Sequence, residues 1–370
     1  MRIALVCPYF PPNVGGVETY VYELAKRLQS DHTVYVFACG RGMTETYDGV
    51  KVFRLRAIDM QNLPLHLKIP YPVPLSLMFK LAKLNVDVIH IHGHAFATSF
   101  GAAFASQLAH RPLVLTIHDI GIAYQDYFLI RGVRPILDSI LVDYVFGQAD
   151  AVIAQNDVTY DYALRFKPKK IVIISSGVDC DKFKPRGEGE YVTFVAARLV
   201  PQKGGEIFIR AIPRVLEEIR DGKFMVVGDG LQRSFLEELS VDLGVRDYVD
   251  FVGSIPYGEI AAYLSQAKIV VFPSEIPTGL ALLEVAAMRK PIITTRNKWA
   301  EDTLGNSPLF VPMHSPEETA KAIIHLLRNP DERAKIARSA YEKVTSERSW
   351  DTVAAKHLDL YNQVVGRNDR

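Results

Sequence analysis

Two cations, Arg198 and Lys203, lie in the segment Ala197-Arg-Leu-Val-Pro-Gln-Lys-Gly-Gly205, between a run with strand character and one with helical spacing. Fixed positive side chains beside a helix N-terminus, whose backbone N–H groups carry partial positive charge, suit a diphosphate. Each charge-assisted hydrogen bond made there contributes about 1.5–3 kcal/mol. On an open surface the same residues would be a solvated pair; the preceding strand and Gly204-Gly205 favour the ligand. A second segment, Pro273-Ser-Glu-Ile-Pro-Thr-Gly-Leu-Ala-Leu-Leu-Glu284, runs from a loop into a helix with a carboxylate one turn inside. Glu284 could accept two hydrogen bonds from a ribose diol while the N–H groups of Thr278, Gly279 and Leu280 face phosphate. Its plain alternative is an exposed helix Glu. The third segment, Pro8-Tyr-Phe-Pro-Pro-Asn-Val-Gly-Gly-Val-Glu18, places Gly15 and Gly16 between strand and helix, where glycines permit positive φ and let an anion approach the backbone. A simple loop-to-helix turn would read the same way. Its spacing is not G-x-G-x-x-G, which argues against a dinucleotide-dependent dehydrogenase.

All three segments follow strands, and open parallel sheets bind ligands beyond the carboxyl ends of their strands. Ile3 to Val6, Thr33 to Ala38, Val86 to His92, Leu113 to His118, Ala151 to Gln155 and Ile171 to Ile174 read as strands with helical segments between most of them. Alternation of this kind predicts a parallel sheet covered on both faces. After the charged, Gly/Pro-containing stretch Lys182 to Glu190 the alternation restarts, with strands at Tyr191 to Ala196, Lys223 to Val227, Tyr248 to Val252, Ile269 to Phe272 and Ile292 to Thr294. Helices are expected near residues 205–220, 232–243 and 280–288. Two doubly wound α/β domains follow, residues 1–185 and 186–349, with a closing helix over 350–370 returning to the first. Facing sheets would share a central cleft.

Composition narrows the function. A chain of 370 residues exceeds the usual single core, so two domains of roughly 100–200 residues are expected. Hydrophobic residues at 48% and charged residues at 23% exclude a disordered or collagen-like chain. A formal charge of +1 argues against nucleic acid as partner. Three cysteines, Cys7, Cys39 and Cys180, are too few and too spread for a disulfide framework, which points to a cytoplasmic setting. The first apolar run breaks at Pro8, far short of a signal peptide, and Ala95 to Ala109 is too short to span a bilayer and reads as a buried helix.

The three segments, in this order, resemble the retaining GT-B glycosyltransferases of glycosyltransferase family 4, the group 1 glycosyltransferases. Thr116-Ile-His-Asp119, Ser176-Gly-Val-Asp179, Val227-Gly-Asp-Gly230 and Ala267 to Ser274 fall where that family carries similar motifs. The resemblance implies that Arg198 and Lys203 bind the donor diphosphate and stabilise the leaving group, which is electrostatic catalysis. It also implies that Glu284 holds the ribose, that His118 lies beside the donor sugar, that Gly228 borders the donor, and that Gly15 and Gly16 approach phosphate or acceptor. A hexose would pass from a nucleotide diphosphate sugar to a hydroxyl of a glycan or lipid-linked acceptor with retained configuration. The departing phosphate oxygen would take the acceptor's proton. Neither a protein nucleophile nor a metal or other cofactor is then needed.

Some positions depart from the pattern. The family's paired glutamates are seven residues apart, and aligning the second on Glu284 puts Ile276 at the first, with Glu275 one place early. Arg289, Asn297 and Lys298 stand where glycines are usual, and Ser176 where Asn is commoner. Glu275 could rotate in to meet a sugar hydroxyl. These departures leave two alternatives: a nucleotide-sugar epimerase of the same fold, for which no acid/base carboxylate cluster is seen, and a non-catalytic nucleotide-sugar-binding partner subunit.

Three further signals have bland readings. His90-Ile-His-Gly-His94 could aim three imidazoles one way as metal ligands, but a strand end near the site explains it better. Asp179-Cys-Asp181 is formally a D-x-D, yet after Ser176-Gly-Val a turn is expected rather than a cation site. Leu65 to Leu84 mixes apolar residues with Lys68, Lys80 and Lys83; it could lie on an anionic membrane, or pack on its own domain with the lysines in water.

Overall fold

The computed structural model describes residues 1–368 apart from 14, 58–73, 75, 119–133 and 277; side chains of 134–139 and 367–368 are left aside. The chain divides into two compact units, Met1–Ser176 with Trp350–Arg370, and Gly177–Ser349. The first contains eight strands: β1 (Arg2–Val6), β2 (Thr33–Gly40), β3 (Met43–Tyr47), β4 (Val50–Arg56), β5 (Val88–His92), β6 (Leu113–Ile117), β7 (Ala151–Ala154) and β8 (Ile171–Ile173). They form one sheet in the order β3-β4-β2-β1-β5-β6-β7-β8, parallel except for the β3/β4 hairpin. The second unit contains β9 (Tyr191–Arg198), β10 (Lys223–Asp229), β11 (Val249–Gly253), β12 (Ala267–Phe272), β13 (Ile292–Thr295) and β14 (Leu309–Val311), all parallel in the order β11-β10-β9-β12-β13-β14.

The run patterns explain the second sheet. Along β9, Val192, Phe194 and Ala196 enter one apolar cluster and Val195 the other; along β12, Ile269 and Val271 part from Val270 and Phe272 in the same way. Successive side chains point to opposite faces. Both faces are therefore apolar and both are covered by helices, the arrangement that forces parallel pairing through crossovers. In the first unit Ala4, Val6, Ile89, Ile91, Leu113, Leu115 and Ile117 fill one core against the helices Leu77–Lys83, Ala97–Ala109 and Arg134–Gln148.

Several expectations need correction. The chain passes between units at Ser176/Gly177, ahead of the expected 185/186. Residues 178–190 already belong to the second core: Val178 and Phe183 are buried in it, and Lys290 Nζ donates to Gly187 O at 2.7 Å. A Cβ on Gly189 would sit 1.9 Å from Gln266 O, so the stretch that read as a linker is packed in place. The β3/β4 hairpin and β14 were not anticipated. Asp48-Gly49, with φ of 44° and 84°, is the two-residue turn that marked the hairpin. The helix Ala97–Ala109 is buried on one side only, leaving Phe100, Phe104 and Leu108 exposed. Asp179 Oδ1 accepts from the N–H groups of Asp181 and Lys182, both at 3.0 Å, which makes the D-x-D a turn. Half of Leu65 to Leu84 lies outside the described residues; in its helix Leu77–Lys83, Leu77 and Leu81 are buried while Phe79, Lys80 and Lys83 face outward. Among the described residues no helix is long and apolar enough to cross a membrane.

Candidate functional site

In the second unit, β9 ends at Arg198 and is followed by a 3-10 turn, Pro201–Lys203, and the helix Gly205–Glu218. Gly204 joins turn to helix in the left-handed region, φ 79°, and a Cβ there would lie 2.0 Å from Pro273 O. Only glycine satisfies both demands. The loop after β12 thereby closes on the loop after β9. Ser274 Oγ donates to Gln202 O at 3.1 Å, the N–H of Glu275 donates to the same carbonyl at 2.9 Å, and Thr295 Oγ1 donates to Ser274 O. Two of the segments singled out from sequence are therefore bound together in one unit.

Lys203 is half-buried, and its proton affinity falls to about 8, first through burial and then through the positive charge of Arg198. Arg198 itself is exposed. Holding two cations within each other's field is unfavourable unless an anion is expected between or beside them. Glu284 is buried on the first turns of the helix Leu280–Ala287, which starts at Gly279, φ 67°, with no side chain capping it. The helices Gly16–Leu28 and Gly205–Glu218 likewise start at glycines, Gly15 and Gly204, without side-chain caps. By contrast Asn156 caps the helix Asp157–Leu164, and Asn297 caps Lys298–Leu304 by accepting from the Ala300 N–H at 2.9 Å. Asn297 thus turns to its own helix, as does Lys298, whose Nζ pairs with Asp302 at 2.7 Å.

The remaining donor-side residues are placed as follows. Gly228, φ 131°, lets β10 press on β9, since a Cβ would meet Ala196 O at 1.8 Å. Among the described residues, which do not include Pro277, the buried Thr278 Oγ1 has no hydrogen-bond partner. Glu275 is exposed and lies 3.6 Å from His314 Nδ1. Ile276 closes a tight turn, its carbonyl accepting from Ser274 Oγ at 2.6 Å.

In the first unit the loop before Gly15 and Gly16 is clamped by buried Arg54, whose Nη1 donates to Phe10 O at 3.0 Å and whose second guanidinium nitrogen donates to Pro11 O; Val14 lies outside the described residues. The expected positive φ is absent here. Gly15 is extended, φ −179°, and Gly16 has open space around its missing side chain, so room rather than conformation is what these glycines supply.

The strand-end histidines are held in a hydrogen-bonded cluster. His90 is joined to Tyr361 Oη at 2.6 Å and to Thr116 Oγ1 at 2.7 Å, and His94 Nε2 to Tyr162 Oη at 3.0 Å. His118 follows β6; its Nδ1 meets Gln155 Nε2 at 2.8 Å and its Nε2 meets His92 Nδ1 at 3.1 Å. Asp119 lies outside the described residues. Burial pushes His118 down to about 3, with His357 and His94 adding to it, and holds His90 and His92 well below the ordinary imidazole value. Among the described residues no group of three His, Cys, Asp or Glu could hold a metal ion. The helix Trp350–Asn368 packs into this cluster. His357 donates from Nδ1 to Val353 O at 2.8 Å and so accepts at Nε2 from the Tyr20 hydroxyl at 3.2 Å, while Trp350 meets the Tyr20 ring edge-on. Tyr20, Gln155, His357 and Tyr361 carried no motif in the sequence and were missed.

Two family patterns match this chain: Glycosyl transferases group 1 over residues 180–343, and Glycosyltransferase Family 4 over residues 14–182. The chain belongs to the group 1, family 4 glycosyltransferases. A GDP-mannose-dependent alpha-(1-6)-phosphatidylinositol monomannoside mannosyltransferase of Mycobacterium tuberculosis is 26% identical over 97% of this chain and 97% of its own length. The phosphatidylinositol N-acetylglucosaminyltransferase GPI3 subunit of Saccharomyces cerevisiae is 22% identical over 98% of this chain and 83% of its own length. Among solved structures, sucrose-phosphate synthase from Thermosynechococcus elongatus aligns with a TM-score of 0.79 at 22% identity over 99% of both chains. Anabaena HepE in complex with UDP and glucose aligns with a TM-score of 0.76 at 19% identity over 97% of this chain and 99% of that one. The fold is GT-B. This glycosyltransferase transfers a sugar from a nucleotide-sugar donor.

Proposed function

We propose that this glycosyltransferase is a retaining, metal-independent hexosyltransferase acting on a hydroxyl of a glycan, glycolipid or exopolysaccharide acceptor. The observation that carries the reading is the pairing of Arg198 with a half-buried Lys203, held at about 8, beside a glycine-started helix. Such a site stabilises the negative charge that grows on the departing oxygen of a nucleoside diphosphate. In this reading Arg198 and Lys203 act on the diphosphate, Glu284 on the ribose, and His118 beside the sugar. Thr278, Gly279, Leu280 and Gly228 border the donor, and Gly15 and Gly16 lie toward phosphate or acceptor. The bond from the anomeric carbon to phosphate oxygen breaks while the acceptor oxygen bonds to the same face, and the acceptor's proton passes to the departing phosphate oxygen. A nucleotide of the GDP or UDP class fits the relatives and structural neighbours, one named for GDP-mannose and one solved with UDP. A lipid-linked acceptor would place the enzyme at the cytoplasmic face of an anionic membrane.

A thermal-shift screen against UDP, GDP, ADP and their sugar conjugates identifies the donor, since a ligand of the folded state raises apparent stability. Product anomeric coupling by NMR, with and without EDTA, then tests the chemistry. Retained configuration unaffected by EDTA supports the proposal, and inversion overturns it. A second reading, a nucleotide-sugar-binding subunit without turnover, is favoured by Ile276 at the usual acidic position. Donor binding with no transfer to any acceptor would select it.

A further inference from the structure

The imidazole of His118 is gripped at both nitrogens, and the grip has a direction. The Ser176 hydroxyl donates to Gln155 Oε1 at 3.2 Å, which occupies the oxygen end of that amide with a donor. The nitrogen end of the same amide faces His118 and donates to Nδ1 at 2.8 Å. A neutral ring that accepts at Nδ1 carries its proton on Nε2, so His118 donates onward to His92 Nδ1 at 3.1 Å. His92 then carries its own proton on Nε2, an atom buried without a partner among the described residues. The rings are also confined in rotation: Tyr20 stands edge-on to His118 with centroids 4.9 Å apart, and His90 lies 4.1 Å from His92. The groups hydrogen-bonded to His118 are both neutral, so the proton order follows the orientation of the Gln155 amide rather than a charge. Ser176 is also the last residue of the first unit before the chain crosses to the second.

We propose that Gln155 is a positioning residue for sugar transfer: anchored by Ser176, it fixes the tautomer and orientation of His118 and, through His118, of His92. The inference rests on the placement of His118 beside the donor sugar. A neutral ring of one fixed tautomer presents one fixed dipole to a sugar that gains positive charge as its bond to phosphate breaks, with no reorganisation during the reaction.

The test uses the full chain with 15N-labelled histidine. Imidazole nitrogen shifts should show Nδ1 unprotonated in both His118 and His92. Gln155→Glu is nearly isosteric but can only accept; His118 must then donate from Nδ1 and accept at Nε2 from His92, so both tautomers invert together. With the tautomers inverted, kcat should fall about 10-fold or more, as for other lost partners of a functional histidine. KM for the nucleotide sugar should hold within about 2-fold, because diphosphate and ribose contacts are made in the second unit. Ser176→Ala, which frees the amide to turn, should give a mixture of tautomers and a smaller fall in kcat. Unchanged tautomers in Gln155→Glu overturn the proposal, and so does inversion with unchanged kcat. Should no turnover be found, the tautomer measurement still decides the relay. His118→Ala with full activity would instead remove His118 from the sugar site, a failure of the functional reading that leaves the tautomer result intact.

Discussion

Loops at the carboxyl ends of parallel strands build both candidate regions, yet the two treat charge in opposite ways. After β9 the second unit keeps Arg198 and Lys203 near one another, and burial together with that like charge depresses Lys203 to about 8. On β5 and just after β6 the first unit desolvates His90, His92 and His118, drives His118 to about 3, and ties both nitrogens of His90 and of His118 into hydrogen bonds with neutral groups. The first arrangement stores positive potential; the second excludes it. A reaction in which phosphate leaves as an anion while the sugar turns cationic needs that division, because a cation beside the sugar would oppose the same step that a cation beside the phosphate assists.

The largest effect should come from the glycine that holds the cationic loop in shape. Gly204→Ala combines a left-handed φ of 79° with a Cβ 2.0 Å from Pro273 O, so the loops after β9 and β12 must separate. Unfolding in urea should show a loss of about 3 kcal/mol or more. Gly16→Ala has open space and ordinary backbone, and should change stability by no more than about 0.5 kcal/mol. Equal losses at the two sites would erase the distinction between a glycine required by packing and one that only leaves room.

A protonation measurement sharpens the charge comparison. The folded state lowers Lys203 from 10.5 to about 8, so below that value folding carries the cost of keeping this lysine charged. As pH rises from 8 to 10.5 the folded protein sheds this proton while the unfolded chain retains it, and the contribution of Lys203 to stability becomes more favourable. A bound diphosphate restores the proton. Calorimetry with a nucleoside diphosphate in buffers of different ionisation enthalpy should therefore show uptake of about one proton at pH 9 and little at pH 7. Lys203→Met should abolish the uptake and weaken binding by about 10- to 100-fold, the size of one charge-assisted hydrogen bond. Uptake persisting in that variant would assign the proton to another group. No comparable uptake is expected from His118 near neutrality, since it is neutral down to about 3.

The contrast is partly legible in the sequence. Alternating apolar runs define parallel sheets because both faces of each strand must be covered, and strand-to-helix glycines such as Gly204 mark loops that approach a ligand. Arg198 and Lys203 flank such a loop, Glu284 lies in the helix that follows another, and all three could be named from type and position. The histidine cluster could not be read this way. His90, His92 and His94 alternate along a strand whichever partners they have, and their partners come from elsewhere in the chain: Tyr361 pairs with His90 across 271 residues, His357 with Tyr20 across 337, and Gln155 with His118 across 37. Nothing local in Gln155 or Tyr361 distinguishes a network member from a surface side chain. The boundary was misplaced for a related reason, since Lys182 to Glu190 looks like a solvated linker but is tied down by Lys290 and Gln266 from far along the sequence.

The smallest expected effect concerns whether the departures in the second unit serve binding or merely the backbone. Arg289 follows the helix Leu280–Ala287 with φ 54°, the left-handed conformation that glycine adopts freely and an L side chain disfavours by about 1–2 kcal/mol. Arg289→Gly removes that strain but loosens the unfolded chain, so the net gain should be about 0.5–1 kcal/mol in urea unfolding. Its side chain is exposed, and nucleoside diphosphate affinity should be unchanged. A stability gain with unaltered affinity would separate this position from Lys203, where charge rather than backbone decides. If affinity fell instead, Arg289 would be a further cation of the donor site, and the positive region of the second unit would extend beyond the loop after β9 to the far end of the helix that carries Glu284.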